Sequence, residues 1–480
     1  MNDSLFKANR IILAGTGSGC GKTTVACALL QAFKNRGLEV GAGKCGPDYI
    51  DPMFHRSVIG APSANFDPFF FDEDRLCYLL KANCEGRDIT VIEGVMGYYD
   101  GIGADGRAST FEVAAKTHSP VILTVSAKGA SLSVLAVIQG FLRFEEDSRI
   151  KGVILNDCTE GVYDMLAPLI EERLGVRALG YMPRIKDCEL ESRHLGLITA
   201  DEIQDLKQKL DLLAEQAEKS IDLDGVLSIA SEAPALSVKL PAIKRLEPFR
   251  LALARDRAFC FYYEDSLAVL REMGAELVPF SPLDDERLPE NVHGLYLGGG
   301  YPELYAEALS QNTAMLKSIK AAVSGGLPCI AECGGFMYLT EAIGGFPMAG
   351  VIPARSFDNG RLTRFGYVTL TANRDNMLCK KGDTIAAHEF HRWDCDNTGE
   401  AFTARRPNGR EWSCVFANDT LYAGYPHFHF LANLGFAESF CKACIVKADQ
   451  ISFSSCSGAV PDRSAERSAK ATALLLQSDR

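Results

Sequence analysis

Residues 11–24 read IILAGTGSGCGKTT, and the order of parts in that stretch decides the fold. The apolar run Ile11–Ala14 has the residue types of a buried strand. A glycine-rich turn follows, and Lys22 opens a helical pattern that continues to about residue 35. Glycines allow successive backbone N–H groups to turn inward onto phosphate oxygens, and the helix start adds the positive end of its dipole. Lys22 can reach the β- and γ-phosphates of a nucleotide, and the Thr23 hydroxyl can hold Mg²⁺. The strict phosphate-loop pattern asks for Gly at position 16, where this chain has Thr16, so the loop is a variant. The expected nucleotide contacts are Thr16, Gly17, Gly19, Gly21, Lys22, Thr23 and Thr24.

Outward from this loop, short β-rich runs alternate with helical patterns as far as residue 200. The runs are Glu39–Ala42, Ile89–Ile92, Val121–Val125 and Gly152–Leu155. Strands spaced by helices predict an α/β domain with a mostly parallel sheet covered on both faces. Residues 200–222 carry apolar positions at helical spacing, and the proline-bearing stretch 233–247 reads as a linker. A second αβ pattern then begins. It predicts strands Leu251–Ala254, Glu276–Phe280, Gly294–Leu297 and Pro328–Ala331, with helices over 262–273 and 302–323. Beyond 350 the pattern turns antiparallel, with strands Gly366–Leu370, Thr384–His388 and Cys414–Asn418. The expected division is a phosphate-loop domain over 1–232, a second α/β domain over 248–446 and a poorly ordered tail over 447–480.

The chain has 480 residues, with 50 Lys+Arg against 62 Asp+Glu and a formal net charge of -12. That balance excludes a protein that wraps duplex nucleic acid. No apolar stretch reaches the length of a membrane helix and the start lacks a signal-peptide pattern, so a cytoplasmic protein is expected. Its 16 cysteines are then read as reduced thiols. Cys441 and Cys444 form a C-x-x-C without a second pair to complete four ligands, and this spacing reads as coincidence on a helix face.

Two acids fall where strands should end. Asp48 lies in KCGPDYIDPMFH (44–55) and Glu93 in IEGVMGYYDG (92–101). Carboxylates at the carboxyl ends of adjacent parallel strands converge on the crevice of the phosphate loop, where Mg²⁺ takes one or two of them plus phosphate oxygens. Asp51, beside Pro52, reads as a turn former. The second block carries IAECGGF (330–336), in which an apolar strand runs into Glu-Cys-Gly-Gly and a helix. This is the layout of a nucleophile elbow, and a thiol at a helix start should have a lowered pKa. The base should be a distant histidine, best placed in GYPHFHF (424–430). LGGGYP (297–302) can offer backbone N–H groups to an oxyanion.

The Cys…His pair with GGGYP resembles the class I (triad) glutamine amidotransferase domain, and the phosphate-loop block resembles the dethiobiotin-synthetase-like ATPases. One family fuses the two modules in this order, the cobyrinic acid a,c-diamide synthases of cobalamin biosynthesis. The resemblance runs over about residues 10–440. It is carried by GPDYIDPMFH (46–55), EGVMGYYDG (93–101), GVILN (152–156), SRHLGL (192–197), LYLGGGYPE (295–303), HEFH (388–391) and HFHF (427–430). It implies an ATP- and Mg²⁺-dependent, glutamine-dependent amidation of the a and c carboxylates of a cobyrinic acid-type corrinoid through acyl phosphates. It implies Cys333 as nucleophile, His427 as base, Gly299 and Gly300 as the oxyanion region, Asp48 and Glu93 as metal carboxylates with Thr23, and Asn156 as the adenine contact. Triad domains usually have Glu two residues after the histidine, whereas here the place belongs to His429. Relatives often have Asp at position 126 and Asn at 266, where this chain has Ser126 and Ser266. A sister amidotransferase acting on hydrogenobyrinic acid or nickel-sirohydrochlorin, or a cobyric acid synthase, is the nearest alternative. The expected partners are the corrinoid, ATP and L-glutamine, without nucleic acid or membrane, and a homodimer is compatible.

Overall fold

The computed structural model describes residues 4–185, 188 and 200–456. Seven parallel strands build the first domain. In sheet order they are Ser63–Phe66, Val40–Cys45, Ile89–Glu93, Arg10–Gly15, Val121–Ser126, Ile150–Asn156 and Arg177–Met182. The predicted apolar runs are its interior strands, because a strand buried on both faces needs apolar side chains on both. Along Arg10–Gly15, Ile11 and Leu13 enter one core while Ile12 and Ala14 enter the other. Helices Lys22–Asn35 and Ala200–Ser220 pack together over one face. The connection runs to opposite sides of Arg10–Gly15, so the loops after Val40–Cys45, Ile89–Glu93 and Arg10–Gly15 open into one crevice.

The linker contributes a strand, Leu236–Val238, which pairs with Ser4–Phe6. The second domain has a central sheet in the order Ala275–Phe280, Phe249–Ala254, Gly294–Leu297, Cys329–Glu332, Leu421–Gly424 and Phe416–Ala417. All but the last strand are parallel. An antiparallel sheet stands beside it, in the order Glu411–Cys414, Phe402–Arg405, Arg364–Ala372, Thr384–His391 and His427–Phe428. Two expected elements divide. Val415, at φ 67°, breaks the expected strand Cys414–Asn418 into pieces that join different sheets. The helix expected over 302–323 becomes Pro302–Tyr305, Ala306–Gln311 and Thr313–Ser324, with the Asn312 side chain capping the last.

The helix Leu434–Cys456 runs through residue 446, where the domain was expected to end. Cys441 and Cys444 are fully buried on it, and the Cys441 sulfur lies 3.9 Å from that of Met273. Packing accounts for their spacing. The motif at 192–197 and the tail beyond 456 lie outside the described residues.

The two domains meet through aromatic side chains. Phe69 stacks on Tyr367 with ring centroids 4.4 Å apart. The Tyr367 hydroxyl donates to Asp67 Oδ2 at 2.9 Å. Arg75 Nε donates to the Leu431 carbonyl at 3.0 Å. Tyr49, from the loop after the second strand, stacks on Phe261 at 5.1 Å.

Candidate functional site

The phosphate loop follows strand Arg10–Gly15 and ends on helix Lys22–Asn35. Gly19 and Gly21 sit at φ 74° and 97°, a region that favours glycine. A side chain at Gly21 would also overlap the amide of Asn156, so the structure brings Asn156 onto the loop. Ser126 is paired with Asn156 across adjacent strands. Lys22 Nζ donates to the carbonyls of Gly17 (2.9 Å) and Met96 (2.6 Å). Burial lowers its pKa, so the ammonium gains from an anion. Thr16, Gly17, Thr23 and Thr24 are partly exposed along the same turn.

Beside the loop lies a buried charge cluster. Thr23 Oγ1 donates to Glu93 Oε1 at 2.5 Å. Lys44 Nζ bridges Glu93 Oε1 (2.8 Å) and Asp51 Oδ2 (2.5 Å). Burial opposes the Lys44 charge, but Glu93, Asp51 and Asp48 together raise its pKa well above the usual value. Asp51 is held low by Lys44 against the pull of burial. The sequence assigned Asp48 to metal and Asp51 to a turn. In the structure Asp48 Oδ1 accepts from the N–H groups of Ile50 (2.8 Å) and Asp51 (3.3 Å), the geometry of a turn, while Asp51 faces Lys44. Asp48 is raised to about 6 by burial and then by Asp51. Glu93 Oε2 is buried and has no partner among the described residues. An orphaned carboxylate oxygen next to the Thr23 hydroxyl fits a hard cation completed by phosphate oxygens. Lys44 escaped the sequence reading, and Asp51 was read there only as a turn former, although both flank Asp48 within KCGPDYID.

In the second domain Cys333 sits between strand Cys329–Glu332 and helix Gly334–Leu339 at φ 49° and ψ −102°. This strained turn is the elbow the sequence predicts. The expected fall in thiol pKa does not occur. Burial, with Glu303 nearby, pushes the Cys333 thiol up. Only 9% exposed, it gains little from a six-residue helix, so it needs a base to lose its proton.

His427 is that candidate, and it lies between Gly299 and Glu332. A side chain at Gly299 would come within 2.6 Å of His427 Cε1 and 3.2 Å of Nε2. Gly300, at φ 153°, leaves its N–H close to Gly334, next to the thiol. His427 Nδ1 lies 3.2 Å from Glu332 Oε2. Glu332 therefore occupies the orienting position that the sequence reading left open. It directly precedes the nucleophile in ECGG. His429 has other partners. Its Nδ1 accepts from the Leu431 N–H at 3.1 Å, and its ring packs edge-on against Phe71 at 4.8 Å. Burial lowers its pKa to about 3. Only His427–Phe428 pairs in this motif, but His429 is also extended (φ −115°, ψ 124°), so the two histidines differ in their partners. Ser266, where relatives often have Asn, accepts from the Phe430 N–H at 3.0 Å and so anchors the end of this motif.

The two sites touch. Tyr49, one residue after Asp48, lies 5.2 Å from the His427 ring and 5.8 Å from that of His388. His388 is stacked on His427 at 5.2 Å.

Residues 250–434 match the CobB/CobQ-like glutamine amidotransferase domain, and residues 11–198 match the CobQ/CobB/MinD/ParA nucleotide binding domain. Fold and motifs thus define a nucleotide-using amidoligase with its own glutamine amidotransferase domain. Curated relatives carry the name cobyrinate a,c-diamide synthase. One from Thermoplasma volcanium is 39% identical over 92% of this chain and 98% of its own length. One from Clostridium acetobutylicum is 40% identical over 89% and 98%. The chain belongs to the cobyrinate a,c-diamide synthase family. Among the described residues no helix is long and apolar enough to cross a membrane.

Proposed function

We propose that the protein amidates the a and c carboxylates of a cobyrinic acid-type corrinoid, using ATP to activate each carboxylate and glutamine as nitrogen source. The observation that carries this reading is the contact between Tyr49 of the nucleotide domain and His427 of the amidotransferase domain. Ammonia made at Cys333 is thereby released where the activating site begins.

In the first half-reaction the Cys333 thiol passes its proton to His427, and the sulfur attacks the carboxamide carbon of glutamine. The oxyanion faces the backbone of Gly299 and Gly300. Glu332 accepts from Nδ1–H and holds the imidazole in the tautomer whose Nε2 takes the proton. His427 then returns the proton to the leaving ammonia, and water cleaves the thioester to glutamate. In the second half-reaction a ring carboxylate attacks the γ-phosphorus of ATP, and ADP leaves. Ammonia attacks the acyl phosphate, and phosphate leaves. Lys22 offsets the charge on the transferred phosphoryl group, and Asn156 contacts the adenine. Thr23 and Glu93, with Asp48 or Asp51, would hold Mg²⁺, which supplies charge neutralisation between the phosphates when bound.

The test is a panel of cobyrinic, hydrogenobyrinic and nickel-sirohydrochlorin-type acids with ATP, Mg²⁺ and glutamine, read by product mass. Two successive carboxyl-to-amide shifts on cobyrinic acid are expected. Turnover confined to another ring would transfer the assignment to a sister enzyme.

A further inference from the structure

Two phenyl rings stand in water on the antiparallel sheet. Phe365 and Phe390 are 59% and 58% exposed, and they face each other across paired strands with ring centroids 4.9 Å apart. Leu362, 52% exposed, lies in the turn that leads into the strand of Phe365. Thr363 pins that turn beside Phe390. Its N–H donates to the His391 carbonyl at 3.0 Å, and its hydroxyl donates to the Arg392 carbonyl at 2.8 Å. Exposed apolar surface is costly in water, and a contiguous patch of it marks a site of contact.

The patch continues into the crevice between the domains. Successive side chains of a strand alternate, so Phe390 shares a face with His388, while Glu389 and His391 take the other. Glu389 Oε2 and His391 Nε2 accordingly lie 3.6 Å apart. On the neighbouring strand Phe365 stands opposite Phe390, and Tyr367 stands opposite His388. Tyr367 is therefore the next ring along, about 7 Å from Phe365. A side chain added at Gly46 would lie 3.8 Å from the Tyr367 hydroxyl and 3.7 Å from Val95 Cγ1. Gly46 and Val95 are each two residues from an acid of the nucleotide site, Asp48 and Glu93. One face thus runs from solvent at Phe365 and Phe390 to the carboxylates beside the phosphate loop.

The rim of the patch is basic, although the chain carries a net charge of -12. Arg406 Nη2 donates to the Phe365 carbonyl at 3.0 Å. Arg361 is exposed in the turn with Leu362. Arg392 follows Phe390 by two residues, and its Nε donates to Asp358 Oδ1 at 3.1 Å. An apolar platform edged by guanidinium groups suits a flat apolar ring that carries carboxylates on its periphery.

We propose that Phe365, Phe390 and Leu362 form the platform for the macrocycle of the carboxylate substrate, and that Arg361, Arg392 and Arg406 hold arms that are not being amidated. An arm on the inner edge of the ring then points along Tyr367 toward Glu93 and the phosphate loop. This inference rests on the reading of the substrate as a cobyrinic acid-type corrinoid.

The test uses full-length protein, ATP, cobyrinic acid and concentrated ammonium as nitrogen source, so that glutamine hydrolysis does not limit the rate. The double variant Phe365→Ala/Phe390→Ala should raise KM for cobyrinic acid about tenfold or more, while KM for ATP stays within about twofold of wild type. Phe390→Tyr keeps an aromatic ring and should stay near wild type. Arg361→Gln/Arg392→Gln should raise the same KM, and the difference should shrink with added salt. Glutamate release from glutamine reports whether each variant is folded, and Phe390→Ala alone carries the test if the double variant is not. An unchanged KM for cobyrinic acid in the folded alanine variant would overturn the platform. If that variant also dissociates a wild-type dimer in sedimentation, the patch is an interface between copies of the chain instead. A wild type that amidates only another tetrapyrrole acid would transfer the function and leave the platform to be read on that ring by the same KM. A wild type that amidates none would remove the functional reading, and the platform with it.

Discussion

His427 and His429 are two residues apart and serve different ends. The first is held by Glu332 at 3.2 Å, and the second is a neutral ring packed against Phe71. His427→Ala should therefore lower glutaminase turnover by about 100-fold or more, the scale of a lost general base. His429→Ala should mainly lower the melting temperature, since it empties a buried site. Glu332→Gln keeps the size but loses the charge that fixes the tautomer, so it should lower kcat far more than it raises KM. The assay is glutamate release with the ATP site idle. If His429→Ala proves the more damaging to turnover, the base has been assigned to the wrong ring. A Glu332→Gln variant with wild-type kcat would leave His427 without an orienter.

At the scale of elements, the strand–loop–helix of residues 10–35 and the strand–Cys–helix of residues 329–339 were both legible in the sequence. Each is a local device, in which glycines stand where backbone must turn sharply or approach closely. Gly300 shows this, because a side chain there would overlap the Ala258 carbonyl. The pairings over long separations were not legible. Lys44 meets Glu93 across 49 residues and Glu332 meets His427 across 95, and no spacing rule ties such positions. The loop of residues 44–51 illustrates the cost. Its acids were visible, but whether Asp48 or Asp51 faces the crevice depends on the turn at Ile50. If this loop serves the metal, Glu93→Gln and one of Asp48→Asn or Asp51→Asn should raise the Mg²⁺ concentration needed for half-maximal amidation. Glutamine hydrolysis should keep its independence of metal. An unchanged Mg²⁺ requirement in all three variants would make the cluster a structural ion network around Lys44.

Across the whole molecule, two catalytic centres share one aromatic interface, and this separates what each can do alone. Cys333→Ser should abolish amidation from glutamine while concentrated ammonium still supports it, because the nucleotide crevice is built from other strands. Loss of both activities in folded protein would show the centres to be inseparable. The interface also carries a titrating group. Asp67 is fully buried, and burial raises its pKa to about 7 despite the Phe69 N–H and the Tyr367 hydroxyl, which donate to it. In the unfolded chain an aspartate titrates near ~4. From about pH 4 upward the unfolded chain gives up this proton while the folded chain keeps it. The stability contributed by Asp67 is thus greatest below the unfolded value, declines through the window, and is fully lost once pH has risen through the folded value. Asp67→Asn is neutral throughout and lacks this decline. The melting temperature of the variant relative to wild type should therefore climb between pH 5 and pH 8, and most steeply below about pH 7. A difference that stays constant with pH would mean that Asp67 is ionised in the folded protein throughout, with the Tyr367 hydroxyl and the backbone N–H groups outweighing its burial.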